Sequence, residues 1–403
     1  MECNIKEMEC TRLFKWYLVF ILLVFINSMY PWFSTFRFID IAVSFIGCIL
    51  SVAIFFKNKL YFKQINIFFV AIAVILFVWD YHLCNIFGVL TGLLVFISWC
   101  PLLFFDDKQN ERVLNFITTW LSRCLFVSIV GYVLYLLGVY PLSPSKINFL
   151  GTQYELFNYY LFVIPQNVNA YNEYIRFRSV FLEPGHMAMG VTILIFANKF
   201  NLKNKYVLIL FIANLLSFSL AGYIVMTVGF VISNININGL KRLILGALLV
   251  IVSISLMTNL GYGKILDTYI FKRLEYSEAT GTIKGNNRTR REYEQYYKSV
   301  KSNIDTFLFG DIDYAMQAKN ISGAGIKKYV VEKGAVGILF VLLFYLFIFC
   351  KNRTIHSFVL SFTILLMLYQ DAYPMWACVP ISYITGNASF RQNKLFFVTK
   401  KDK

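Results

Sequence analysis

The sequence predicts an all-α integral membrane protein: one polytopic domain over residues 1–403, with about twelve transmembrane helices and two large loops on the outer side of the bilayer. Three observations carry this. Hydrophobic residues make up 58% of the chain and charged residues 15%, with a mean hydropathy of +0.61; a soluble domain of that composition would have nowhere to put its apolar surface. Apolar runs approaching the ~20 residues that a helix needs to cross a bilayer recur along nearly the whole chain. The basic residues fall mostly in the short segments between those runs, where they set topology.

The runs lie near 13–34, 36–56, 65–80, 84–105, 113–140, 179–198, 205–218, 220–234, 242–260, 334–350, 355–370 and 375–387. The first follows Lys6, Arg12 and Lys15 and has no small-residue cleavage site of the Ala-x-Ala kind, so it is expected to be a retained span. With a cytoplasmic N-terminus, alternate connections carry Lys57, Lys59 and Lys63; Lys108 and Arg112; Lys199, Lys203 and Lys205; Lys241 and Arg242; Lys351 and Arg353; and a tail with Arg391 and Lys394. The short connections on the other side offer Arg37 and little else. This positive-inside pattern predicts that both termini are cytoplasmic. It also accounts for the net charge of +16 without nucleic acid, since no basic face with interleaved exposed aromatics is present. The eight cysteines are scattered singly with no CxxC pair, which argues against structural zinc and a disulfide framework.

Two connections are long, and both fall on the outer side. Pro141 to Arg178 is rich in Asn, Gln and Tyr; Gly261 to Lys333 is mixed in charge. Loops of this length in a compact chain are usually functional or disordered. Within the second, Tyr293, Tyr296, Tyr297, Val300 and Ile304 recur at helical spacing, so an amphipathic helix along the membrane surface is expected. Glycines at Gly310, Gly323, Gly325, Gly334 and Gly337 follow, allowing turns and close backbone approach to a ligand.

The first loop ends in RFRSVFLEPGHMAM, residues 176–189, where charge, a helix breaker and an imidazole crowd the edge of an apolar segment. Ionisable residues in such a place are costly and mark a functional site by default. Arg176 and Arg178 could simply snorkel to the interface. Positive charge is not what topology asks for on that face, however, and arginine binds phosphate bidentately, so an anion site is the sharper reading. Glu183, read as lying about a turn into the span, must pair, protonate or line a wet cavity; Pro184 and Gly185 beside it should interrupt the helical ladder. His186, three residues on, shares a helix face with Glu183 and suits either an acid–base couple or a hydrogen-bonded structural imidazole. A metal pair is disfavoured, because His82 and His356 fall on opposite sides in this topology. Arg288, Arg290 and Arg291 form a second basic cluster, read either as a solvated charge run or as a partner of the first on one anionic substrate. Asp80, Tyr81 and His82, and Asp371, Tyr373 and Trp376, fit interfacial caps in an aromatic belt.

This layout resembles the Wzy-type O-antigen and polysaccharide repeat-unit polymerases, relatives of the O-antigen ligases. The resemblance is carried by RSVFLEPGHMA at Arg178 to Ala188, LFG at Leu308 to Gly310, YVVEKGAVGILF at Tyr329 to Phe340 and, more weakly, SFSLAGYI at Ser217 to Ile224. It covers most of the chain in layout and about thirty residues in motif. It implies a glycosyltransferase C-like polymerase or ligase architecture in the bacterial inner membrane, with the two large loops in the periplasm. The implied activity is metal-independent and cofactor-free: transfer of a growing glycan from undecaprenyl diphosphate to a lipid-linked repeat unit, in O-antigen, capsule or exopolysaccharide synthesis. Arg176, Arg178, Arg288, Arg290 and Arg291 would hold diphosphate, and Glu183 or His186 would position or deprotonate the acceptor hydroxyl. Implied partners are the undecaprenyl-diphosphate-linked donor and acceptor, membrane lipid and a chain-length regulator protein.

Ligases carry a histidine late in the second large loop, and none lies between Gly261 and Lys333, which counts against a ligase. A flippase for lipid-linked oligosaccharide is the alternative. It would call for charges spread through the span interiors, whereas here those are nearly neutral and the polar mass lies outside.

Overall fold

The computed structural model describes residues 12–35, 37–57, 73–76, 86–137, 145–149, 152–158, 163–165, 176–233, 271–277, 282–283, 291–311, 325–370 and 375–390, with isolated positions at 255, 258, 259, 263 and 267. Helices dominate: α1 (Arg12–Asn27), α2 (Arg37–Lys57), α3 (Ile86–Trp99), α4 (Asp107–Leu136), α5 (Pro184–Ala197), α6 (Lys205–Leu216), α7 (Leu220–Ser233), α8 (Arg291–Ser302), α9 (Ile304–Phe309), α10 (Gly325–Lys351), α11 (Ile355–Gln370) and α12 (Cys378–Phe390). Wherever an expected span is described at length, it is helical. The segments near 65–80, apart from 73–76, and near 242–260, apart from 255, 258 and 259, lie outside the described residues, as do Asp80, Tyr81, His82, Asp371 and Tyr373.

Among the described residues, three helices are long and apolar enough to cross a membrane: Phe38–Lys57, Asp107–Leu136 and Gly325–Lys351. Five shorter apolar helices, including Pro184–Ala197 and Ile355–Leu368, accompany them. The surface of the bundle carries the membrane signal as clearly as the lengths do. On α2, Phe38, Ile41, Phe45, Ile49, Val52 and Phe56 are all exposed, at steps of three and four residues that place them on one face. Val127, Val130, Leu134 and Leu137 form a similar exposed row at the end of α4. Water-soluble monomers do not leave apolar stripes of this extent uncovered, whereas lipid tails cover them at no cost.

Inside this shell, α5 and α12 form the centre. Every residue of α5 from Met187 to Ala197 is buried, and so is every residue of α12. A helix apolar on all sides belongs in a core. Around α5 pack α6, α7, α11 and α12, while α12 also contacts α1 and α4. Close approach is made possible by small residues: a Cβ on Gly386 would stand 2.8 Å from Ala197 Cβ and 3.0 Å from its Cα. Two of the buried polar groups in α12 find partners within the bundle: Tyr383 Oη donates to Tyr345 O at 3.0 Å, and Thr385 Oγ1 to Ile381 O at 2.7 Å.

Helix starts follow local chemistry. α4 begins at Asp107, earlier than the apolar run at 113, because Asp106 and Gln109 form a capping box: Gln109 N donates to Asp106 Oδ1 at 2.7 Å and Asp106 N to Gln109 Oε1 at 3.1 Å.

The two large loops contain more structure than periodicity alone foresees. The first holds an antiparallel meander of β1 (Ser145–Phe149), β2 (Thr152–Asn158) and β3 (Val163–Pro165), with Ile147 opposite Tyr154 and Leu156 opposite Pro165. The second holds a two-residue ladder of β4 (Tyr276–Ser277) and β5 (Thr282–Ile283), followed by α8 and α9.

A side chain larger than hydrogen at position 386 would push α12 away from α5. Gly386→Leu should cost about 1–3 kcal/mol or more through overpacking, seen as a lower thermal midpoint of the detergent-solubilised protein; an unchanged midpoint would contradict the placement of α12.

Candidate functional site

The segment from Arg176 to Glu183 is a non-helical strap, and its path is fixed from three sides. Towards α1, Leu182 N donates to Tyr30 O at 3.0 Å and Trp32 N to Val180 O at 2.8 Å, with Pro31 and Phe181 forming an antiparallel bridge. Towards α4, Ser179 Oγ and Ser128 Oγ are 2.7 Å apart. Towards the turn joining α6 to α7, Phe177 N donates to Leu216 O at 3.1 Å and Arg176 Nε to Ser217 O at 2.9 Å. Phe177, Ser179, Val180, Phe181 and Leu182 are buried as a result. Tyr30 and Ser179 both sit at φ 53°, a left-handed geometry uncommon for non-glycine residues. The hydrogen bonds on either side hold the chain there.

This geometry revises the reading of Glu183 and its neighbours. Glu183 is not a turn inside a helix; it is the N-cap of α5, with φ −127° and ψ 137°. Pro184 occupies the first helical position, where its missing N–H is no loss and its fixed φ suits the helix. It therefore starts the helix instead of interrupting one. The acid stands at the start of α5 with its side chain 44% exposed.

His186 Nε2 lies 3.8 Å from Glu183 Oε2, and the imidazole is only 15% exposed. It is wedged between two aromatic rings: its centroid is 5.3 Å from that of Tyr30 and 5.1 Å from that of Trp376, which are themselves 5.1 Å apart in an edge-on contact. Arg178 folds back along the strap and donates Nη1 to Leu182 O at 2.6 Å. Thus Arg178, Glu183 and His186 stand at the N-terminal end of α5, where the helix dipole adds positive potential beside the Arg178 guanidinium, while Arg176 is held on the C-terminal cap of α6. Arg288 and Arg290 lie outside the described residues; Arg291 opens α8, and its side chain also lies outside them.

Arg176 has a structural duty that the sequence reading did not separate from anion binding. Ser217 is the C-cap of α6, and a guanidinium there satisfies a terminal carbonyl and opposes the negative end of the helix. Beneath this contact, Asn214 Nδ2 donates to Thr192 Oγ1 at 2.7 Å and Ser217 Oγ donates to Asn214 O at 2.6 Å. Thr192 Oγ1 in turn donates to Ala188 O at 2.6 Å. The polar track thus couples the strap to the interior of α5. An asparagine in the apolar run KYVLILFIANLL was the signal available in the sequence. Ser128 and Tyr30 offered none, because both become partners only through the tertiary fold.

In the second loop, α8 covers part of its apolar stripe with protein, while Ile304 at the end of the stripe is exposed. Tyr293 and Val300 are buried against Val331 of α10, with Tyr296 and Tyr297 beside them. Lys327 pairs with Glu294, and Tyr296 Oη donates to Asp311. Two of the glycines, Gly310 and Gly334, allow close backbone approach within the protein itself. α10 is broken at Gly334, with φ 69° and ψ 178°. A Cβ there would lie 2.1 Å from Leu308 O, and one on Gly310, at φ 84°, would lie 2.7 Å from Glu332 O. The LFG element and the EKG element therefore interlock backbone to backbone.

Comparison with known proteins found no matching family model, no matching curated protein and no matching solved structure.

Two outcomes follow from these contacts. Arg176→Ala leaves the Ser217 carbonyl without its guanidinium donor, at about 1–3 kcal/mol, and should lower the unfolding midpoint in detergent even with no ligand present. Gly334→Ala cannot hold φ 69° against Leu308, so α9 should detach; limited proteolysis should then cut between residues 300 and 325 faster than in the wild-type chain.

Proposed function

We propose that the chain is a polymerase of lipid-linked glycans, spanning the bacterial inner membrane about twelve times with both termini in the cytoplasm. It moves a growing chain from undecaprenyl diphosphate onto a lipid-linked repeat unit at the periplasmic face. The observation that carries this reading is that Arg178, Glu183 and His186 stand together where a pinned strap enters a buried central helix. The diphosphate leaves as an anion, and charge that develops on it is stabilised by fixed positive groups in a place of restricted hydration. Arg178 and the N-terminal end of α5 supply that field; Arg176 supports it from the α6 cap, and Arg288, Arg290 and Arg291 bring further charge from the second loop.

Glu183 is the acid with access to an incoming hydroxyl, being half-exposed where His186 is not. A carboxylate that accepts the hydroxyl proton as the glycosidic bond forms fits general-base work. His186, held between Tyr30 and Trp376, has the settled orientation of a residue that aligns Glu183. The aromatic side chains of Tyr30 and Trp376 near the acid also suit the apolar face of a sugar ring. This assignment favours a reaction centre over a flippase, which needs charge along the translocation path and not concentrated at one end.

The test uses inverted and right-side-out vesicles supplied with purified lipid-linked repeat units. Glu183→Gln should abolish glycan lengthening at unchanged protein level, a loss on the order of 100-fold or more for a general base, and Arg178→Ala should weaken it strongly. Wild-type ladders of glycan length from both variants would sink the assignment, and relocation of the unit without lengthening would favour the flippase.

A further inference from the structure

The six residues of α9, IDTFLF, include four apolar ones, and none of the six is buried. Ile304 is 71% exposed and Phe309 49%. Single exposed apolar residues are ordinary on soluble surfaces; the depth of these decides what they meet. Leu308 to Gly310 lies against Glu332 to Gly334, since a Cβ at either glycine would clash with the opposing backbone. Gly334 is also the point where α10 breaks and its uninterrupted apolar run begins, ending at Lys351. Those 17 residue steps from Gly334 to Lys351 rise about 26 Å at ~1.5 Å each, close to the ~30 Å of a hydrocarbon core. With Lys351 at one boundary, Gly334 stands at the other, and α9 stands beside it.

We propose that α9 is a membrane-interface anchor: Ile304 and Phe309 enter the acyl-chain boundary of the leaflet on the second loop's side, and the occupant of this face is bilayer phospholipid. Two observations commit it to lipid. α9 packs on α10 at the break, just where the exposed row Leu339, Leu342 and Leu346 of α10 begins at helical spacing. Exposed Lys298 and Lys301 sit on the preceding helix, where ammonium groups reach phosphate headgroups while apolar neighbours go deeper. The amphipathic stripe of α8 is already spent on Val331, so the lipid contact falls to α9. Because α9 interlocks with Gly334, this anchor holds the second loop at the height where a lipid-borne molecule would emerge from the bilayer. The inference concerns lipid contact alone and does not depend on the reaction proposed above.

The test places the photoreactive residue p-benzoylphenylalanine at position 304, 309 or 298 of the full chain, reconstituted in phosphatidylethanolamine–phosphatidylglycerol vesicles. Each variant is first matched to wild type by gel filtration. After illumination, intact mass analysis should find phospholipid adducts at 304 and 309 at several-fold higher yield than at 298. Adduct yields at 304 and 309 no higher than at 298 would overturn the proposal, as would cross-links from those positions to a second copy of the chain. Ile304→Ser with Phe309→Ser gives an independent reading: the second loop should become more protease-sensitive in vesicles while the detergent-solubilised protein stays as resistant as wild type. Equal resistance of the double variant and wild type in vesicles would equally overturn it.

Discussion

Backbone that leaves helical geometry inside a membrane bundle must find hydrogen-bond partners in the protein, because water is scarce there and an orphaned amide costs several kcal/mol. The strap from Arg176 to Glu183 meets this demand by borrowing from its neighbours. Tyr30 and Trp32 supply one side, Leu216 and Ser217 the other, and Ser128 secures the middle. Since α1, α4 and the α6–α7 turn must all be in place for these bonds to form, the site assembles as a property of the whole bundle. Positions far from Glu183 in sequence therefore set where its carboxylate stands.

The same dependence explains what could be read in advance. Hydropathy located the helices because each apolar run carries its own signal, and Asp106 with Gln109 even announces the start of α4 through local chemistry. RFRSVFLEPGHMAM stood out because costly residues at a membrane edge are rare wherever they occur. The position of Glu183 within its helix was not readable in the same way: Pro184 inside an apolar run looks like a break, and only tertiary pairing with Tyr30 reveals it as a beginning. Tyr30 itself was invisible, since one more aromatic residue at the end of an apolar run attracts no attention. Likewise the stripe on α8 had two possible apolar hosts, lipid or protein, and periodicity does not distinguish them.

Arg176 illustrates how one guanidinium can serve two readings at once. Its Nε is committed to the α6 cap, which fixes the side chain's direction and withdraws part of its hydrogen-bonding fork from any ligand. Such a residue acts on an anion chiefly through its charge and its rigidity. Arg178, whose Nη1 donates to the strap's own carbonyl at Leu182, is tied to the segment that carries the acid. Any movement of that segment would carry guanidinium and carboxylate together, preserving their spacing.

The burial of α12 on every side has a consequence for how the protein is made. Its sequence, CVPISYITGNASF, is mild in hydropathy, with proline, serine, threonine, glycine and asparagine among its thirteen residues. A segment of that kind gains little from lipid alone and settles by fitting between α1, α4, α5 and α11. Those helices leave the ribosome first, so the bundle must wait with a vacant axis until its centre is synthesised. During that interval α5 presents to the bilayer a face shaped for protein, and the insertion machinery or a chaperone has a defined late step at which to accept the chain or discard it.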